Sequence, residues 1–104
     1  SYITDITGGT ILGYKYFAFQ TAGSLLLELR SKAVTAFTGS ITISTDEAER
    51  EVIGRKQFTA ENKIGEDFWH MIEIPMTVTD GVHALYLHFA GTGSLELKNI
   101  GFVS

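Results

Sequence analysis

The last quarter of the chain constrains its fold most. Val82-His83-Ala84-Leu85-Tyr86-Leu87-His88-Phe89 and Ser94-Leu95-Glu96-Leu97-Lys98-Asn99-Ile100-Gly101-Phe102 are two alternating apolar runs separated by Gly91-Thr92-Gly93. A strand turns successive side chains to opposite faces, so Leu85, Leu87 and Phe89 share one face and Ala84, Tyr86 and His88 the other. Two such runs around a glycine turn predict an antiparallel hairpin closing a β-sandwich.

Upstream, aromatic and β-branched residues come in short blocks broken by Gly, Thr, Ser and Asp, the pattern of an all-β chain. The expected strands are Tyr2 to Ile6, Thr10 to Gln20, Ser24 to Ser31, Ala33 to Phe37, Ser40 to Thr45, Val52 to Phe58, Phe68 to Val78 and Val82 to Phe89, with Ser94 to Phe102 as a ninth. Breaks fall at Gly8-Gly9, Ala22-Gly23, Gly39, Gly65-Glu66-Asp67, Asp80-Gly81 and Gly91-Thr92-Gly93. One stretch competes: Ser44 to Glu51 has capping-box spacing and good helix formers, but Ile53-Gly54 follows closely, so a turn or a helix of one to two turns is expected there.

A length of 104 residues fits a single domain, and 44% hydrophobic with 19% charged residues suits a globular chain with a core. The net charge of -4, with eight scattered Lys and Arg residues, leaves no basic stripe for nucleic acid. Cys is absent, so neither disulfides nor thiolate chemistry contribute. Apolar runs such as Leu25-Leu26-Leu27 fall far short of the roughly 20 residues of a membrane-spanning helix. The start at Ser1, without Met or a signal region, suggests a domain excised from a larger product.

Spacing along the strands limits the chemistry the polar residues can perform. His83 and His88 are five residues apart, which puts them on opposite faces and about 16 Å apart along a strand, so they cannot chelate one ion. His70 sits on another strand, and no zinc-type spacing is present; a surface or half-buried structural role accounts for all three. Asp46, Glu47, Glu49 and Glu51 are offset by Arg50, Arg55 and Lys56 and read as a solvated face. Glu66 and Asp67 are adjacent in one loop, whereas paired catalytic carboxylates must flank a bond from different elements. With no nucleophile elbow, phosphate loop or dinucleotide fingerprint, the chain reads as non-catalytic.

The aromatic residues remain. Phe17 and Phe19 alternate with Tyr14 and Tyr16, which predicts phenylalanines in the core and tyrosines turned outward or toward a loop. Phe68, Ile72 and Ile74 are expected to point inward, leaving Trp69 with Met71 and Glu73 on the other face. A sugar presents apolar C–H faces and equatorial hydroxyls, so its receptor needs a flat ring and a few aimed polar groups. Tyr14 and Trp69 supply candidate rings; the competing readings are a half-buried sheet tyrosine and a core plug.

Gly13-Tyr14-Lys15-Tyr16-Phe17-Ala18-Phe19, Phe68-Trp69 and Gly81-Val82-His83-Ala84-Leu85-Tyr86-Leu87-His88-Phe89 resemble the family 6 carbohydrate-binding modules, especially those appended to family 43 glycoside hydrolases (xylosidases and arabinofuranosidases). The resemblance covers nearly the whole chain. It implies an all-β jelly-roll sandwich, galactose-binding-like, of about eight to nine antiparallel strands over residues 1–104. It also implies a loop site where a tyrosine and a tryptophan sandwich a sugar ring and an asparagine bonds its hydroxyls. By position these fall on Tyr14, Trp69 and Glu96, so a carboxylate replaces the amide. A second site can occupy a concave sheet face. No cofactor is implied beyond a structural calcium, whose opening acidic segment is missing and whose last-strand aspartate position holds Lys98, with Asp5 and Asn99 insufficient alone.

The implied function is that of a non-catalytic accessory module holding a xylan- or arabinan-degrading hydrolase on plant cell-wall polysaccharide. Its partners would be the polymer and the parent's catalytic domain, not nucleic acid or membrane, and its location that of a secreted or cell-associated bacterial hydrolase. The alternative is a structural sandwich packed against a family 43 catalytic domain, without sugar binding of its own.

Overall fold

The computed structural model describes residues 2–19, 23–77 and 81–103, and the side chains of all of these except 15–19 and 81–83. Among the described residues there are eight strands: β1 (Ile3–Ile6), β2 (Ile11–Phe19), β3 (Ser24–Ser31), β4 (Thr38–Ser44), β5 (Val52–Phe58), β6 (His70–Pro75), β7 (Gly81–Thr92) and β8 (Leu95–Val103). They form two antiparallel sheets of four, ordered β1-β8-β3-β6 and β2-β7-β4-β5.

Alternation dictates what lies between the sheets. Leu25, Leu27 and Leu29 of β3 and Leu95 and Leu97 of β8 point inward from one layer; Ile41 and Ile43 of β4 and Leu85, Leu87 and Phe89 of β7 meet them from the other. Phe37 and Ile64, joined by a backbone bridge, are also buried in this core. Each fully buried Leu or Ile contributes about 1.5–3 kcal/mol over an exposed one, enough to make the register of the strands non-negotiable.

The expected closing hairpin does not form. β7 pairs with β2 and β4, whereas β8 pairs with β1 and β3 in the opposite sheet. Alternation specifies the buried face of a strand, not its neighbours, and both runs bury their apolar faces by facing each other across the core. The chain crosses between layers at a corner fixed by Gly91 (φ 136°) and Gly93 (φ 102°). Gly91 lies opposite Gly39 (φ 145°) in the β4–β7 ladder, and a Cβ on Gly91 would sit 2.2 Å from the Thr38 carbonyl oxygen. Only glycine meets both demands.

Other departures have local causes. Ala33–Phe37 is a looped connection rather than a strand, because the Ser31 hydroxyl curls it inward, bonding the carbonyls of Ala33 (2.8 Å) and Thr35 (2.9 Å). Ser44–Glu51 is no departure, since of the turn and the short helix expected there the turn forms: the Asp46 carboxylate accepts from the backbone N–H of Arg50 (2.9 Å) and Glu51 (2.8 Å) and closes it. Phe68 precedes β6 in a loop, 56% exposed and stacked on His70 at 4.3 Å, so it is not an inward residue. Tyr14 packs against the core instead of facing outward, and a bulge between Tyr14 and Phe17 resets the alternation beyond it. The expected orientations of Tyr16, Phe17, Phe19 and His83 fall outside the described side chains, and Gln20, Ala22, Val78 and Asp80 outside the described residues.

Candidate functional site

The alternation that buries Leu29 turns Arg30 outward, and the same parity turns Glu96 outward between Leu95 and Leu97. Arg30 and Glu96 are register partners, and Trp69, one residue before β6, lies beside Arg30. Outside the β1-β8-β3-β6 sheet, the Arg30 guanidinium carbon sits 4.2 Å from the Trp69 ring centroid, and Lys98 Nζ 5.5 Å from it. Tyr2 meets the same indole edge-on, with ring centroids 5.4 Å apart at 70°. Trp69 is partly buried and Tyr2 is exposed, so the pair forms an aromatic corner facing away from the core.

Arg30 Nη2 and Nε donate to Glu96 Oε1 at 3.1 and 3.3 Å. The carboxylate expected to receive sugar hydroxyls thus has one oxygen committed to the cation that stacks on Trp69. Tyr14 lies on the other sheet, at the edge where β2 runs over β1. It borders a hollow of about 260 Å³ with Tyr2, Ile3, Leu97, Lys98, Asn99 and Ile100, and burial pushes its phenol above the ordinary tyrosine value. Trp69 and Glu96 therefore share one cluster, and Tyr14 borders a hollow that Tyr2 and Lys98 also line. Sequence reasoning missed Tyr2 and Arg30. Arg30 was readable from the Leu25-Leu27-Leu29 parity, whereas nothing in the sequence linked Tyr2 to Trp69.

The charges around this corner do not fit calcium. Asp5 is ion-paired with Lys32, Asn99 donates its amide to Glu28 (2.7 Å), and Lys98 brings a positive charge. Among the described residues, no group of three or more His, Cys, Asp or Glu is placed to hold a metal.

The outer face of β2-β7-β4-β5 carries a second concavity, a groove of about 370 Å³ whose lining includes Ile11, Ser40, Thr42, Glu49, Arg55 and His88. His88 is 6% exposed and anchors one wall. Ser44 Oγ donates to the Asp46 carbonyl at 2.5 Å and lies 2.8 Å from His88 Nε2. His88 Nδ1 faces Glu49 Oε1 at 3.2 Å, a contact that ties the 45–51 turn to β7. The Ser–His–Glu order is that of a hydrolytic triad, but Ser44 is fully buried and its proton is already engaged, so it is no nucleophile.

A β-sandwich presenting an aromatic corner, a polar groove and no activated nucleophile among its described residues belongs to the class of ligand-binding modules. The family model for carbohydrate binding module (family 6) matches residues 1–104, and the chain belongs to that family of non-catalytic carbohydrate-binding modules. Among solved structures, a β-1,3-glucan binding CBM6 from Bacillus halodurans superposes with a TM-score of 0.78 at 20% identity, covering 99% of this chain and 76% of that one. A CBM6 from Clostridium stercorarium in complex with cellobiose gives 0.72 at 18%, covering 99% and 73%. A family 43 arabinoxylan arabinofuranohydrolase from Bacillus subtilis, in complex with cellotetraose, gives 0.72 at 19%; the match covers 99% of this chain but 21% of that enzyme. No curated protein matches the sequence.

Proposed function

We propose that this module attaches a xylan- or arabinan-degrading hydrolase to plant cell-wall polysaccharide by stacking a sugar ring on the Trp69–Tyr2 corner. The observation that carries this reading is the meeting of two rings, 5.4 Å apart, on an outer sheet face rather than in the core. Trp69 and Tyr2 offer the apolar surface for C–H faces, Lys98 and Asn99 supply donors toward hydroxyls, and Tyr14 borders the adjoining hollow. Glu96 holds Arg30 against the indole. The groove on the other sheet is a second surface for the same polymer, and in this reading the domain is one piece of a secreted or cell-associated bacterial hydrolase.

Shallow stacked sites of this kind bind in roughly the micromolar-to-millimolar range, about -8 to -4 kcal/mol, and act by raising local concentration. Xylo- and arabino-oligosaccharides are expected to change Trp69 fluorescence, and Trp69→Ala and Tyr2→Ala to abolish retention on xylan affinity gels. Unchanged mobility of both variants rejects the corner as a sugar site. A second reading, that this face packs against a catalytic domain, is favoured by Phe68 and Met71, 56% and 57% exposed beside Trp69. Fluorescence silent to the whole sugar panel, with a change on adding the catalytic domain, selects that reading.

A further inference from the structure

We infer that the groove on the outer face of β2-β7-β4-β5 recognises an acidic sugar, a uronate substituent on the polymer, with its carboxylate on Arg55. This rests on the carbohydrate-binding reading above and names the sugar class for its second surface.

Three features of the groove lead there. Ser40 and Thr42 line it at 9% and 8% exposure, and among the described residues neither hydroxyl has a hydrogen-bond partner. Buried hydroxyls are ordinarily satisfied, so two open ones side by side on β4 mark a place where a polar ligand supplies the bond. Arg55 lines the same groove as the register partner of Thr42, and among the described residues its guanidinium has no ion pair or hydrogen bond.

The third feature is the local charge. Among the described residues, the ionisable groups lining the groove are Glu49, His88 and Arg55. Glu49 faces His88 at 3.2 Å, whereas Arg55 has no carboxylate partner among the described residues. A guanidinium fork takes a carboxylate through two parallel bonds, which a neutral sugar does not offer.

Position and size agree. Ile11, His88, Thr42 and Arg55 form one row across four strands, so the Arg55 backbone lies about 5 Å from that of Thr42 and about 10 Å from that of His88. Ring hydroxyls of a sugar whose carboxylate is on Arg55 then reach Thr42 and Ser40. Among the described residues the lining contains one Phe, Tyr or Trp, Phe89, which is 2% exposed and packed in the core, so none of them offers such a ring for stacking. A volume of about 370 Å³ lies at the small end of ligand pockets and suits one decorated sugar unit.

The test uses xylotriose bearing one glucuronate against neutral xylotetraose, followed by amide NMR and calorimetry on the wild-type chain, Arg55→Gln, Arg55→Lys and Trp69→Ala. The acidic oligosaccharide is expected to shift the Ser40, Thr42 and His88 amides. Arg55→Gln should weaken its binding roughly tenfold, with an intermediate loss for Arg55→Lys and no change for xylotetraose. Melting curves matching wild type establish that the variants are folded. Equal groove shifts with the neutral sugar, or an Arg55→Gln affinity within about twofold of wild type, overturn the assignment. A Trp69 response with a silent groove overturns it while leaving the stacking site standing; groove shifts with a silent Trp69 do the reverse; silence at both rejects both.

Discussion

The Arg30–Glu96 pair separates two roles for a carboxylate at a sugar-binding corner. If Glu96 holds Arg30 against Trp69, removing either partner affects stability first and binding second. At about 3 Å, the Coulomb energy of a unit pair in an effective dielectric of 20 is roughly 5 kcal/mol. Side-chain exposures of 30% for Arg30 and 11% for Glu96 mean that much of this is offset by lost hydration, leaving a net of about 1–2 kcal/mol. The single variants should be unequal. Glu96→Gln keeps an oxygen that accepts from Arg30 and should cost about 1 kcal/mol, whereas Arg30→Met strands a nearly buried carboxylate and should cost about 3 kcal/mol. In a domain of this size each 1 kcal/mol is worth about 4–8 °C in melting temperature, so the two are readily separated. Urea denaturation of both singles and the double is expected to give a coupling energy of about 1–2 kcal/mol, with sugar retention weakened in proportion to the loosened stack. Zero coupling refutes the clamp. Loss of retention in Glu96→Gln at unchanged stability refutes the indirect role and makes Glu96 a sugar ligand.

Further outcomes follow from the same geometry. Gly91→Ala combines a Cβ 2.2 Å from a backbone oxygen with a left-handed φ, so thermal or urea melts should show a loss of about 2–5 kcal/mol, and a loss below about 0.5 kcal/mol contradicts the corner. Backbone N–H bonds from Glu51 and Arg50 hold the Asp46 carboxyl below its ordinary value of 3.8. A lowered folded value means stability fully present above the ordinary range and lost as pH falls through the lowered value; Asp46→Asn should flatten that part of an acid titration followed by circular dichroism, and an unchanged acid limb refutes it. Leu87→Ala, in a fully buried site of β7, should cost about 3 kcal/mol in urea, and near-wild-type stability contradicts the assigned core.

The buried faces were legible because period two leaves little freedom: Leu25-Leu27-Leu29 and Leu85-Leu87-Phe89 announce their side of the strand, and the ends of β3 and β5 fall where the sequence put them. Pairing was not legible. The apolar faces of β7 and β8 satisfy a hairpin and a two-layer crossing equally well, and the choice is made by the backbone contact of Gly39 with Gly91, which are 52 residues apart. The site was legible to the same depth. Strand parity located Trp69 on an outward face, and the resemblance brought in Glu96, but Tyr14 pairs with the buried Leu85 and so faces the core, and the bulge after it breaks the alternation with Phe17 from which an outward ring was expected. Tyr2 reaches Trp69 only because β1 joins β8 at the sheet edge, a long-range pairing that leaves no local trace. His88 is the clearest failure: its parity was right, yet its burial depends on the 45–51 turn folding over it.

The two surfaces lie on opposite sides of one core, and that separation has a measurable consequence. Sheets pack about 10 Å apart, and Trp69 and Arg55 both point away from the shared interior, with no partner in common among the described residues. Changes that far apart normally add to within about 0.5 kcal/mol. On short oligosaccharides, Trp69→Ala and Arg55→Gln should therefore act independently, each leaving the amide shifts of the other face unchanged. A polymer long enough to engage both faces meets a different rule, because the second contact becomes intramolecular once the first is made. Retention on glucuronate-substituted xylan should then fall, for either variant alone, by more than the affinity that variant loses on an oligosaccharide. Equal losses on polymer and oligosaccharide mean that the faces never engage one chain, and Trp69→Ala shifting the Ser40 or Thr42 amides means that the core transmits between them.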